Sequence, residues 1–186
     1  MANSKRTASK GKRINPKFWV FCEGKTEKAY VCFLRSRYRL PIEIIPQIIG
    51  SNIDERIINK HKDKKLSHEK DVIFLLYDAD VPEVLQRLRN IREAELLVSN
   101  PSIEYWFFLH YKNHVTQTTE EMCIKELSNR NRNEYKKGYI DDKLKQHLNE
   151  KQSEACSRAK KTELYNNPSS NVYIFIEKLE KAKKSK

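Results

Sequence analysis

The sequence predicts an α/β fold: a mainly parallel sheet of about four strands flanked by helices, followed by a helical C-terminal portion. Two apolar runs without polar alternation, KFWVFC at residues 17–22 and VIFLLY at residues 72–77, read as strands buried on both faces. Apolar residues at helical spacing lie between and after them, and strands that alternate with helices build parallel sheets with right-handed crossovers.

The elements follow in order. After the first strand, Ala29, Tyr30, Phe33, Leu34 and Tyr38 recur at helical spacing, which predicts a helix over 26–38. Residues 42–49 form a second strand interrupted near Pro46, and Ser51-Asn52 is placed to cap a helix running toward Lys64. The third strand is 72–77. Pro82 suits the first turn of the next helix, where its missing N–H costs nothing, and Val84, Leu85, Leu88 and Ile91 form the inner face. Residues 94–98 make the fourth strand, and Ser99-Asn100-Pro101 starts a helix carrying Glu104, Trp106 and His110. Beyond Tyr111 the pattern is helical and polar, with helices expected over 120–129, 140–149, 153–164 and 172–183. Residues 1–16 lack hydrophobic periodicity and read as a flexible basic arm. Residues 17–186 read as a single domain with one core, since a chain of 186 residues can bury roughly 70% of its unfolded surface.

A formal net charge of +12 and a pI near 9.5 favour a polyanionic partner, because lysines and arginines that neutralise phosphates release condensed counterions. Nucleic acid leads, against a basic surface that serves only solubility. Cys22, Cys32, Cys123 and Cys156 form no CxxC pair, so reduced thiols are expected instead of a zinc knuckle or a disulfide framework. No apolar stretch approaches the ~20 residues needed to span a bilayer, and the N-terminus lacks the apolar segment of a secretory signal, so a cytoplasmic protein with no membrane partner is expected.

The chemistry gathers at strand ends. Gly24-Lys25-Thr26 matches the end of a phosphate loop, but the position of that loop's first glycine is Trp19, and the Glu23 carboxylate would repel phosphates. Nucleoside triphosphate binding is therefore not expected. Glu23 and Glu27, four residues apart, can share one side of a helix about 6 Å apart along its axis. Their repulsion calls for a positive neighbour, which is either a divalent cation or Lys25 or Lys28, so Glu27 is either a ligand or a first-turn partner of the helix dipole. Asp78 and Asp80 alternate along an extended chain and so project to the same side. Hard oxygen ligands of this kind suit Mg²⁺ or Mn²⁺. Glu104 sits in a mainly apolar helix where an unpaired carboxylate is costly, so it is either a further ligand or the partner of a basic neighbour. His110 is either functional or a hydrogen-bonded structural histidine. His114 completes H-x-x-x-H without the glutamate of a zinc motif.

Taken together, these motifs resemble the RloB-like family of Toprim-fold proteins, found beside large ATPases in restriction and phage-defence loci. The resemblance runs from about Lys17 to the C-terminus. It rests on Glu23-Gly24-Lys25-Thr26-Glu27, Asp78-Ala79-Asp80, Ser99-Asn100-Pro101 with Glu104, Trp106 and His110, then Glu134-Tyr135-Lys136-Lys137 and Asn167-Pro168-Ser169-Ser170-Asn171-Val172. The glutamate and Asp-x-Asp speak for the fold; the segment from Ser99 to His110 is more specific to the family. The chain departs from the pattern after Asp80, with Val81-Pro82 where many relatives have another acid.

Such a resemblance implies a Toprim-like α/β fold and a Mg²⁺- or Mn²⁺-dependent nuclease, with Glu23, Asp78 and Asp80 as the metal set and Glu27 aiding a second ion. Lys136 is then the candidate cation that stabilises the pentavalent phosphate, against an ordinary surface lysine beside Lys137. The implied function is an endonuclease acting on RNA, tRNA included, or on DNA, as the effector of an anti-phage system. No ATP motif is present, so ATP dependence would come from an ABC- or AAA-type ATPase partner. The competing reading is a non-catalytic nucleic-acid-binding or scaffold subunit; primases and topoisomerases need further domains. A homo-oligomer stays open, with Tyr105, Phe107 and Phe108 either in the core or on a partner face.

Overall fold

A computed structural model describes residues 15–184, so nearly all of the expected basic arm, 1–16, lies outside the described residues. Five strands form one sheet in the order β2-β1-β3-β4-β5. They are β1 (Lys17–Cys22), β2 (Glu43–Ile48), β3 (Val72–Asp78), β4 (Ala94–Asn100) and β5 (Ser169–Ser170). The first four run parallel, with Phe18 opposite Val72 and Cys22 opposite Leu76; β5 is antiparallel to β4, with Ser99 opposite Ser170.

Helices cover both faces. On one side lie α1 (Lys25–Tyr38), α4 (Ile103–Phe108), α5 (Glu120–Asn131), α6 (Asp142–Glu150), α7 (Gln152–Ala159) and α8 (Tyr173–Lys184). On the other lie α2 (Glu55–Lys62) and α3 (Pro82–Arg89). Strand side chains alternate between faces, so the expected single core is instead two clusters. Phe18, Val20, Phe74 and Leu76 pack under α1 and the C-terminal helices, whereas Trp19, Phe21, Ile73, Leu75 and Tyr77 pack under α2 and α3. Edge-to-face contacts link Phe18 to Phe74 at 5.3 Å and Phe74 to Phe175 at 4.8 Å, tying the last helix to the central strands. Tyr105, Phe107 and Phe108 are buried in the first cluster and offer no partner face.

Several local expectations are corrected. The α2 cap is Asp54, whose side chain accepts from the Ile57 amide at 2.8 Å, and not Ser51-Asn52. Ser99 and Asn100 belong to β4, so α4 begins only at Ile103. The fifth strand was not expected. It is two serines long and has no apolar pattern, and what holds it is polar: Ser99 Oγ lies 2.9 Å from Ser170 Oγ. Beside it, the Asn171 side chain accepts from the Val98 amide at 2.6 Å and donates to the Leu96 carbonyl at 2.9 Å. A side-chain amide thus continues the ladder where the strand stops.

With β1 in the middle, the chain moves to β2 on one side and then returns to β3 on the other. The gap between the carboxyl ends of β1 and β3 is therefore the switch point where open α/β sheets bind ligands. Glu23 follows β1 and Asp78 ends β3.

Candidate active site at the carboxyl edge of the sheet

A cleft of ≈ 360 Å³ opens at this switch point, lined by Glu23, Glu27, Asp78, Glu104 and Glu120 together with Lys25 and Lys137. Backbone amides set the inner carboxylates. The Asp78 amide donates to Glu23 Oε2 at 3.1 Å, and the Ile103 amide, first in α4, donates to Asp78 Oδ1 at 2.9 Å. Glu27 turns back on its own helix, where its Oε2 accepts from the Gly24 amide at 2.9 Å. Gly24 has an extended φ of −138° that any residue adopts; a β-carbon there would sit 3.1 Å from Glu27 Oε2. A side chain at this position would thus press on the capping carboxylate, which would have to shift by a few tenths of an ångström, while the backbone conformation itself does not call for glycine.

Glu104 is 1% exposed, and among the described residues no cation pairs with it directly. Its two oxygens accept instead from neutral hydroxyls, Ser102 Oγ at 2.7 Å and Tyr135 OH at 2.9 Å, so of the two alternatives for Glu104 the pairing with a basic neighbour is not the one found. The Tyr135 segment is pinned to α1 by the Gly138 amide, which donates to Thr26 Oγ1 at 3.0 Å. Gly138 has a φ of +77°, and a β-carbon there would meet Lys25 Cβ at 3.0 Å, so this turn does require glycine.

Crowded carboxylates resist ionisation together. Burial, then the charges of Glu27, Glu104, Glu23 and Asp80, push the Asp78 carboxyl well above its usual range. Burial raises Glu23 and Glu27 as well; the Asp78 amide and Lys137 oppose this at Glu23, and the helix amides oppose it at Glu27. Burial works against the Lys137 ammonium, but the bond to Glu120 and the charges of Glu104, Glu120 and Asp78 outweigh it and raise its pKa.

The expected residues divide. Glu23, Glu27, Asp78 and Glu104 come together in one cleft. Asp80 does not line it: β3 ends at Asp78, the chain bends, and Asp80 is exposed, although its charge still reaches Glu23 and Asp78. Lys136 points elsewhere, toward Glu134 at 3.9 Å, while its neighbour Lys137 lines the cleft and bonds Glu120 at 2.5 Å. His110 is 1% exposed and packs edge-on to Trp106 at 4.9 Å, with Nδ1 3.0 Å from the Trp106 carbonyl; burial lowers its pKa to about 3. It is a core histidine. Sequence reasoning missed Lys137, Glu120, Thr26, Ser102 and Tyr135 as parts of the site.

Among the described residues, no group of three His, Cys, Asp or Glu side chains is arranged to hold a metal ion as it stands. The donor set nevertheless fits a hard divalent cation in its chemistry: clustered carboxylate oxygens, partly buried, whose repulsion a cation would relieve. Cys22 and Cys123 are buried, and the four cysteines are free thiols.

Fold and cleft define the class: an α/β protein with a Toprim-like, mostly parallel sheet and an acidic site at the β1/β3 switch point. A family model described as RloB-like protein matches residues 18–179, and the chain belongs to the RloB-like family. No curated protein and no solved structure matches it. No helix among the described residues is long and apolar enough to cross a membrane.

Proposed function

We propose that this chain is a Mg²⁺- or Mn²⁺-dependent endonuclease and the effector of an anti-phage or restriction-associated system, working in the cytoplasm under the control of an ABC- or AAA-type ATPase. One observation carries the reading: acidic side chains from the turn after β1 and from α1, β3 and α4 share a single cleft at the switch point of a strongly basic protein. Glu23 and Asp78 would hold the ion, with Glu27 and Glu104 beside them; bound there, it supplies charge neutralisation at a phosphodiester and a more acidic water. The protein's own groups have separate tasks. The Asp78 amide orients Glu23 through Oε2 and leaves Oε1 for a ligand or a proton, while the Ile103 amide does the same for Asp78 through Oδ1. Lys137, anchored by Glu120, places a fixed cation where a phosphate would carry developing negative charge.

A second reading, a nucleic-acid-binding or scaffold subunit without catalysis, draws support from the carboxylates' engagement with backbone amides and from Asp80 lying outside the cleft. The two separate on incubation of the purified protein with plasmid DNA and with total tRNA, in Mg²⁺ or Mn²⁺, with and without a neighbouring ATPase. Cleavage that disappears in Asp78→Asn supports the nuclease; binding without cleavage under every condition supports the scaffold.

A further inference from the structure

A second hollow adjoins the acidic cleft. It lies between α1 and α6, has a volume of ≈ 600 Å³, and is bordered by Phe33, Arg37, Gly138, Tyr139, Lys145 and Asn149 among others. The two hollows share one wall, where Gly138 touches Lys25: Gly138 borders the second hollow, and Lys25 lines the cleft. On α1, Lys25 stands in helical line with Ala29, Cys32 and Ser36 of the second hollow, so one face of one helix runs along both.

Tyr139 is the unusual residue. It is 62% exposed, although it sits two residues from Lys137 and next to a glycine pinned against α1. Phe33, half-buried and stacked on Tyr30 at 6.2 Å, adds a second aromatic surface. The surroundings are mainly cationic: Lys25 and Lys28 are exposed, Lys145 is exposed and pairs with Asp142 at 2.9 Å, and Arg37 is held by Gln152 and stacks on Tyr38 at 5.4 Å. Asn149, exposed, offers an amide.

Basic side chains interleaved with an exposed aromatic ring suit one class of ligand, a single-stranded nucleic acid whose bases are free to stack. In a duplex both faces of each base are already covered, so a tyrosine in a hollow has no base to engage. We infer that the α1/α6 hollow is the strand-binding extension of the cleft, with Tyr139 stacking on an unpaired base and Lys25 and Lys145 contacting the flanking phosphates. It rests on the nuclease reading for what happens in the cleft, and adds the substrate class: unpaired RNA or DNA.

The test is fluorescence anisotropy of the full chain with labelled oligouridine, labelled oligothymidine and a blunt duplex, in EDTA so that no metal-dependent cleavage intervenes. Tyr139→Ala should weaken binding to at least one single strand about ten-fold, and Tyr139→Phe should stay within about two-fold of wild type, because stacking needs the ring and not the hydroxyl. Duplex binding should be weaker than single-strand binding and insensitive to Tyr139→Ala. The two oligonucleotides separate RNA from DNA. An unchanged thermal midpoint in Tyr139→Ala keeps the comparison fair, as expected for an exposed side chain. Equal single-strand affinity in Tyr139→Ala and wild type, or no single-strand binding by wild type, overturns the inference, whatever else then covers the groove. A separate cleavage assay keeps the two readings apart. Loss of strand binding in Tyr139→Ala by a protein that never cleaves removes the nuclease alone, whereas cleavage with Tyr139→Ala binding unchanged removes the groove alone.

Discussion

The amide of Asp78 donates to Glu23 Oε2 at 3.1 Å, so the residues at the carboxyl ends of the adjacent strands β1 and β3 are joined by a hydrogen bond although their carboxylates repel. Glu23→Gln keeps an oxygen acceptor for that amide and removes the charge, while Glu23→Ala removes both. Without metal, Glu23→Gln should be at least as stable as wild type at alkaline pH, and Glu23→Ala should lose about 1 kcal/mol. Neither variant should be stabilised by Mg²⁺. Thermal unfolding with and without Mg²⁺ checks all three statements.

The pH dependence runs opposite to that of ordinary paired carboxylates. Glu23, Glu27 and Asp78 have folded pKa values above their unfolded ones, so the folded state binds more protons than the unfolded state in the interval between them. Stability without metal therefore falls as pH rises from the ordinary carboxylate range through the raised values. A divalent cation should restore it, with a thermal shift that grows with pH. His110 acts on the acid side. Its folded pKa of about 3 lies below the usual 6.5, so its contribution is full above 6.5 and is lost as pH falls toward 3. Denaturant titrations across pH should show a maximum between the two limbs, with the acid limb flattened in His110→Gln.

Tyr135 and Ser102 hold a buried carboxylate without a direct counterion. Tyr135→Phe leaves Glu104 Oε1 without its donor and should cost about 1–3 kcal/mol, read from guanidinium unfolding. Glu104→Gln in the same background should recover part of that loss, because a neutral amide is cheaper to bury than a half-satisfied charge.

Two adjacent lysines make a sharp comparison. Lys137 lines the cleft and Lys136 pairs with Glu134 at the exposed surface, so Lys137→Ala should reduce cleavage on the order of 10²-fold while Lys136→Ala leaves it near wild type. Single-turnover rates at saturating protein make the distinction independent of weakened binding.

Much of this architecture is legible in the amino-acid sequence, and the exceptions have physical reasons. The strands β1 and β3 were legible because burial on both faces leaves an uninterrupted apolar run, and Glu23 and Asp78 were legible because they stand where those runs stop. Glu104 was legible as a costly buried charge, but not its partners, because a tyrosine 31 residues away leaves no local trace. Choosing between Lys136 and Lys137 needed the turn at Gly138, which is fixed by a bond to Thr26 across 112 residues. Asp80 was misplaced because the alternation of an extended strand was carried past its end. The strand β5 was invisible because hydroxyl and amide bonds hold it, and they follow no hydrophobic period.

Ion uptake by the cleft is the most direct test. Isothermal calorimetry of the metal-free protein with Mn²⁺ and with Mg²⁺ should show saturable binding in wild type, stronger at pH 8 than at pH 5 because protons compete for the same carboxylates. Asp78→Asn should abolish it. Heats in wild type no larger than dilution, or binding that survives unchanged in Asp78→Asn, would contradict a metal centre at the β1/β3 switch point.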